Sequence, residues 1–282
     1  MSMKFAAFSC MTPDWTAEQV CIKLKELGYD GVEWTVGYQN ALWDKTKEWH
    51  LSEINIEEEA TKLKELCKKY NLKICSLATR VSCKEPERFE RVVKAATILD
   101  CSMLRVNVPR YDLKTNYSNL YKDTIESLKK IEKICKTYKV RGLLEIHMGT
   151  IIPSPSAVMR IAEKFNPEYI GVTFDPGNMV HEGYERWQMG IEILGKYLSH
   201  VHVKNCGWFF KKVKGKKKWV CEPMSLKDGF ANYEEIIQGL KNVGYNGWIS
   251  FEDFRGGYCS YPVGITTEEK LKEDLLYLKK MV

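Results

Sequence analysis

Eight short apolar runs alternate with eight amphipathic stretches along the chain, and this alternation restricts the fold most. The strand-like runs cover 4–9, 31–35, 73–79, 103–108, 142–147, 170–175, 200–204 and 248–252. The helix-like stretches cover 17–28, 55–70, 86–99, 118–138, 155–166, 184–198, 231–243 and 267–281. Within 17–28 the apolar positions Val20, Ile22, Leu24 and Leu27 recur at helical spacing, and Gly28 is a natural stop. Residues 55–70 open on Asn55 as a cap, with acids in the first turn and lysines in the last, as the helix dipole favours. Strict alternation predicts a parallel sheet joined by right-handed crossovers. A count of eight over 282 residues predicts an α/β fold closed into a (β/α)8 TIM barrel. No linker or low-complexity segment divides the chain, so residues 1–282 are expected to form a single domain.

The last four strand-like runs each carry a polar residue at or near the C-terminal end: Glu145, Asp175, His202 and Glu252. A polar group there has no packing role, and in a barrel this end is where ligands converge. Two Glu, one Asp and one His make an oxygen-rich cage for one divalent cation. Mn²⁺ suits that set best, with Mg²⁺, Co²⁺ or Zn²⁺ as alternatives, and about two octahedral positions stay open for substrate oxygens. No cysteine cluster has the spacing of a structural zinc site. His147 and Lys204 each lie two residues beyond a ligand and so share its strand face. His147 is expected to move a proton or bind substrate, and Lys204 to hold a substrate oxygen. Arg105, Arg80 and Glu33 belong to the same rim, where a guanidinium suits a carboxylate or phosphate. His181 follows Asp175 in the loop and is a further substrate contact. His200 is expected deeper in the barrel, without a direct chemical role.

The remaining features bound the partners. The net charge of +6 is modest, and much of it sits in 211-KKVKGKKK-218, read as a solvated hairpin or loop tip rather than a nucleic-acid surface. No run approaches the length of a membrane span. The 10 cysteines form no CxxC pair, and most are explained as small core residues, which suits a reducing cytoplasm. Long segments follow the second and seventh strand-like runs. Their Trp43, Trp49, Phe209, Phe210 and Trp219 are expected to wall the pocket or to bury themselves in a homo-oligomer.

The pieces 143-LLEIHMGT-150, 173-TFDPGN-178, 199-SHVHVKN-205 and 242-NVGYNGWISFED-253, with 26-ELGYDGVEW-34, resemble the xylose-isomerase-like TIM barrel superfamily in its sugar phosphate isomerase/epimerase branch. The resemblance covers nearly the whole chain. It implies that Glu145, Asp175, His202 and Glu252 bind the metal and that Glu145 and Glu252 act as the proton-transferring pair. Two positions depart from the family: Asn178 stands where a His is frequent, and Asn205 where an Asp is frequent. The activity implied is a metal-dependent isomerase or epimerase acting on a small sugar or polyhydroxy carbonyl compound through an enediolate. The alternative is a metal-dependent dehydratase of the inosose or dehydroshikimate type, whose substrate would be a keto compound or keto acid. A phosphodiester hydrolase of the endonuclease IV kind needs three metals and many His ligands, and this chain has five histidines. A barrel that only binds is opposed by carboxylates retained at all the ligand positions.

Overall fold

The computed structural model describes residues 3–37, 50–253 and 265–282. Trp43, Trp49 and Cys259 lie outside the described residues. Eight parallel strands close on themselves: β1 (Lys4–Phe8), β2 (Gly31–Gly37), β4 (Lys73–Ala78), β5 (Met103–Arg105), β6 (Arg141–Glu145), β7 (Ile170–Phe174), β8 (Leu198–Val203) and β11 (Trp248–Phe251). β1 pairs with both β2 and β11, which joins the two ends of the sheet into a TIM barrel. A two-residue strand, β3 (Leu51–Ser52), hooks onto the end of β2. All the residues of β2 and β7 are buried, as expected where helices cover the outside and side chains fill the inside.

The helices follow their local signals. α1 (Ala17–Leu27) starts on a capping box between Thr16 and Gln19 and ends at Gly28, whose φ of 86° is the left-handed conformation glycine tolerates. α2 (Ile56–Lys69) buries Ile56, Ala60, Leu63 and Cys67, one stripe at helical spacing. Asn55 occupies its N-cap position, but its side chain makes no capping hydrogen bond. Glu57, Glu58 and Glu59 answer the helix dipole instead. α3 (Pro86–Ile98), α4 (Tyr117–Tyr138), α5 (Pro155–Ala162), α7 (Trp187–Leu194), α8 (Tyr233–Asn242) and α9 (Thr267–Lys279) complete the outer ring.

One helix on the barrel rim was not anticipated. α6 (Pro176–Glu182) begins directly after β7, with Asp175 as its N-cap and Pro176 in its first turn. The Asp-Pro pair is a helix-start signal that a barrel-strand reading passes over. The segment after β8 is an antiparallel hairpin, β9 (Asn205–Val213) and β10 (Lys216–Met224), with the lysine run 211–218 at its tip. Lys214 and Gly215 form its turn with φ of 48° and 81°, the pattern of a two-residue hairpin whose twist matches its strands. The hairpin puts its lysines in solvent, as expected of a solvated tip. Phe209, Phe210 and Trp219 lie exposed along it and do not line the cavity at the barrel mouth. Asn205 at its root is structural: its amide donates to the carbonyls of Leu226 and Ala231 at 2.8 and 2.9 Å, and its Oδ1 accepts from the Cys206 and Ala231 backbone amides.

Candidate metal and substrate site

Four neighbouring strands, in the order β6, β7, β8, β11, bring Glu145, Asp175, His202 and Glu252 to one end of the barrel. Glu145 ends β6, Asp175 follows β7, His202 lies near the end of β8, and Glu252 follows β11. His202 Nδ1 lies 3.2 Å from Glu145 Oε1, 3.6 Å from Glu252 Oε2 and 3.8 Å from Asp175 Oδ2. One donor atom from each residue falls within 4.8 Å of all the others, and all four residues are buried.

The surroundings hold these groups in place. His202 Nε2 donates to Glu33 Oε2 at 3.1 Å, and His200 Nε2 donates to the same oxygen at 3.0 Å. Glu33 therefore sits beneath the imidazoles and is not among the cavity-lining residues. Burial would raise its carboxyl, but His202 and His200 hold it well below the usual carboxylate range. Phe8 stacks on His202 with ring centroids 5.7 Å apart. Arg105 Nη1 donates to Glu145 Oε2, and Arg105 Nε to the Thr79 carbonyl at 3.1 Å. Burial works against the Glu145 anion, yet Arg105 and His202 keep it well below its ordinary range. Asn178 Nδ2 donates to Asp175 Oδ2 at 2.8 Å and to the Ile146 carbonyl at 3.1 Å, while its backbone amide caps onto Asp175 Oδ1 at 2.9 Å. The amide thus holds Asp175 in place.

Lys204 reaches into the cluster: Nζ lies 2.8 Å from Asp175 Oδ2 and donates to Glu252 Oε2. Gly177 makes this approach feasible, because a Cβ there would lie 2.3 Å from Lys204 Cγ. Burial would strip the Lys204 proton, but Asp175 and Glu252 hold it on. The Glu252 carboxyl is raised as well: burial pushes it up against the pull of Lys204 and His202, and Glu145 and Asp175 add to the rise.

The donor set fits a divalent cation. Three buried carboxylates crowd one point, and burial, with a smaller push from Glu145 and Asp175, drives Glu252 upward. Burial disfavours an imidazolium, yet Glu33, Asp175 and Glu145 hold the His202 pKa well above its ordinary value. A cation held by this set would replace that proton, and the Nε2 bond to Glu33 would keep the ring oriented.

A cavity of about 410 Å³ opens over the cluster, walled by Arg80, Arg105, His147, His181, Lys204 and Glu252 among others. His147 Nδ1 donates to the Met148 carbonyl at 2.8 Å, which leaves Nε2 as the acceptor. Arg110 also lines the cavity and was not anticipated; an isolated bridge to Thr150 carries it there, beside Gly149. No local pattern marks that pairing.

A family model described as xylose isomerase-like TIM barrel matches residues 21–281. An inosose dehydratase of Clostridium tetani (strain Massachusetts / E88) is 26% identical over 142 residues, covering 47% of this chain and 46% of that protein. The chain spans about half the length of the first curated relatives it matches. A crystal structure of D-psicose 3-epimerase in the presence of D-fructose superposes with a TM-score of 0.74 at 14% identity, covering 99% of both chains. The structure of the IOLI protein with a binding zinc atom gives 0.75 at 16% identity, covering 99% of this chain and 98% of that one. At such identities the structural likeness speaks for the fold. With the family model running nearly end to end over a closed eight-stranded barrel, the chain belongs to the xylose isomerase-like TIM barrel family.

Proposed function

We propose that this chain is a single-domain, divalent-metal-dependent isomerase or epimerase acting on a small sugar or polyhydroxy carbonyl compound. The observation that carries the reading is the buried cluster of Glu145, Asp175, His202 and Glu252, whose Glu252 lines a cavity walled by arginines, a lysine and histidines. Three carboxylates and one imidazole suit Mn²⁺ best among the hard divalent ions. The cation, when bound, supplies Lewis acidity that acidifies a C–H beside a carbonyl.

The side chains supply the rest. Glu145 and Glu252 come from the two outer strands of the four and flank the substrate from opposite sides. Glu252 removes the proton and Glu145 returns it, or the reverse for the opposite epimer. Lys204, Arg80 and Arg105 bind oxygen substituents and orient the reacting carbon. Glu33 keeps His202 in one tautomer and one orientation. Nine free cysteines among the described residues support a reducing, cytoplasmic setting.

A second reading is favoured by the inosose dehydratase likeness and by the position of His147. Here the same proton is removed, but a hydroxyl on the next carbon leaves as water, taking its proton from Nε2 of a doubly protonated His147. Incubating the Mn²⁺-loaded protein in D₂O with ketoses, inososes and dehydroshikimate separates the two. Deuterium in a rearranged or epimerised ketose supports the first reading, and a dehydrated product supports the second. No wash-in and no turnover across the panel contradicts both. His147→Ala is expected to lower turnover by about 10²-fold or more, with metal content unchanged; full activity would remove His147 from the mechanism.

A further inference from the structure

A second set of metal-type donors stands on the wall of the same cavity. His181 of α6, Cys206 of β9 and Cys221 of β10 each offer a ligand atom within 4.8 Å of the other two. They come from three separate elements, so no local repeat explains their meeting. The frame that holds them is rigid on both sides. Trp208 Nε1 donates to the Val180 carbonyl at 2.8 Å, which ties the hairpin to the residue before His181. Asn205 clamps the backbone at Cys206. The His181 and Trp208 rings lie 6.4 Å apart. Cys206 is buried, while His181 and Cys221 are half-buried, and both His181 and Cys206 face the cavity. The trio therefore has a route for an ion to enter.

Another thiol pair provides a contrast. Cys21 and Cys67 also hydrogen-bond one another, but both are sealed in the core and belong to no donor cluster among the described residues. The Cys206 and Cys221 thiols hydrogen-bond one another too, and here an imidazole completes the set.

We propose that His181, Cys206 and Cys221 form a second metal site, of the two-thiolate, one-imidazole kind that takes Zn²⁺. Its donors are soft, unlike the carboxylates of the first site, so the two sites select different ions. On binding, each thiol loses its proton to solvent and forms a metal–sulfur bond. No oxidation occurs. Two thiolates balance the charge of a divalent ion, so the site is neutral and suits partial burial. Three protein ligands leave a fourth position open. In this inference His181, read from the sequence as a substrate contact, is a metal ligand that pins α6 to the base of the hairpin. The inference stands apart from the proposed reaction, because it rests on different residues.

Cobalt distinguishes the sites. Reduced, metal-free protein is titrated with Co²⁺ under anaerobic conditions and followed by absorption. The carboxylate site has no sulfur ligand and gives no thiolate-to-cobalt charge-transfer band. The second site gives that band, and Zn²⁺ added afterwards bleaches it. Asp175→Ala should retain the band. Cys221→Ser, at the half-exposed ligand, should weaken it, and Cys206→Ser/Cys221→Ser should abolish it. Circular dichroism and thermal melting establish that each variant is folded; should the double variant unfold, the Cys221→Ser spectrum decides. No charge-transfer band in the wild type would overturn the proposal. So would a band of wild-type intensity in the cysteine variants, which would place the cobalt on other thiols.

Discussion

Glu252→Gln is expected to slow exchange of the substrate proton with solvent by about 10³-fold, within the range general acid–base groups contribute. The substitution keeps the side-chain volume and one oxygen, so Lys204 retains an acceptor and the barrel end keeps its packing. What it removes is the basic oxygen. Glu252 lies 3.6 Å from His202 Nδ1 and bonds to Lys204, placing it between the buried cluster and the cavity. Glu145→Gln should have a comparable effect, because the two groups divide removal and return of one proton. Deuterium incorporation from D₂O, measured with a substrate identified from the panel, reads both variants. Wild-type wash-in in each of them would place the base elsewhere and make His147 the better candidate.

The second large effect is expected at Glu33, which touches neither the cavity nor the donor point. One oxygen of Glu33 accepts from both His202 and His200. Glu33→Gln should lower metal affinity by about 10- to 100-fold, the usual cost of disturbing the partner that orients a ligand histidine. The reason is geometric: without the carboxylate nothing compels Nε2 to carry the proton, and Nδ1 loses its fixed direction. Glu33→Ala should also destabilise the fold by about 3–5 kcal/mol, since it leaves the groups of a buried ion pair without their partner. Competition with a chromophoric chelator measures the first effect and urea unfolding the second. An unchanged affinity would mean that Phe8 stacking and the three carboxylates orient His202 by themselves.

The barrel and the four polar strand ends were legible because both depend on local patterns. An apolar run ending in Glu or Asp names the position of the charge whatever the rest of the chain does. His147 and Lys204 followed from the two-residue period of a strand, and both do line the cavity. The role of Glu33 was not legible: its partner His200 is 167 residues away, and only barrel closure brings them together. The same holds for Asn178, whose amide looks like a lost histidine in the sequence and proves to be a clamp on Asp175. Of the hairpin only the tip, 211–218, was legible, and the length of its strands was not. β9 and β10 are largely exposed, so their residues show no alternation of apolar and polar types. The meeting of His181, Cys206 and Cys221 depends on that hairpin and on α6, the two elements the periodicity did not reveal.

The central claim is that Glu145, Asp175, His202 and Glu252 hold one divalent cation. Asp175 tests it most directly, because it is fully buried, bonded to Lys204 and Asn178, and has no place in the zinc site inferred at the hairpin. Both proteins are loaded with Mn²⁺ and passed through a desalting column, and the manganese retained per chain is measured by elemental analysis. The account predicts about one manganese per chain in the wild type and next to none in folded Asp175→Ala. Equal manganese in the two proteins would contradict it.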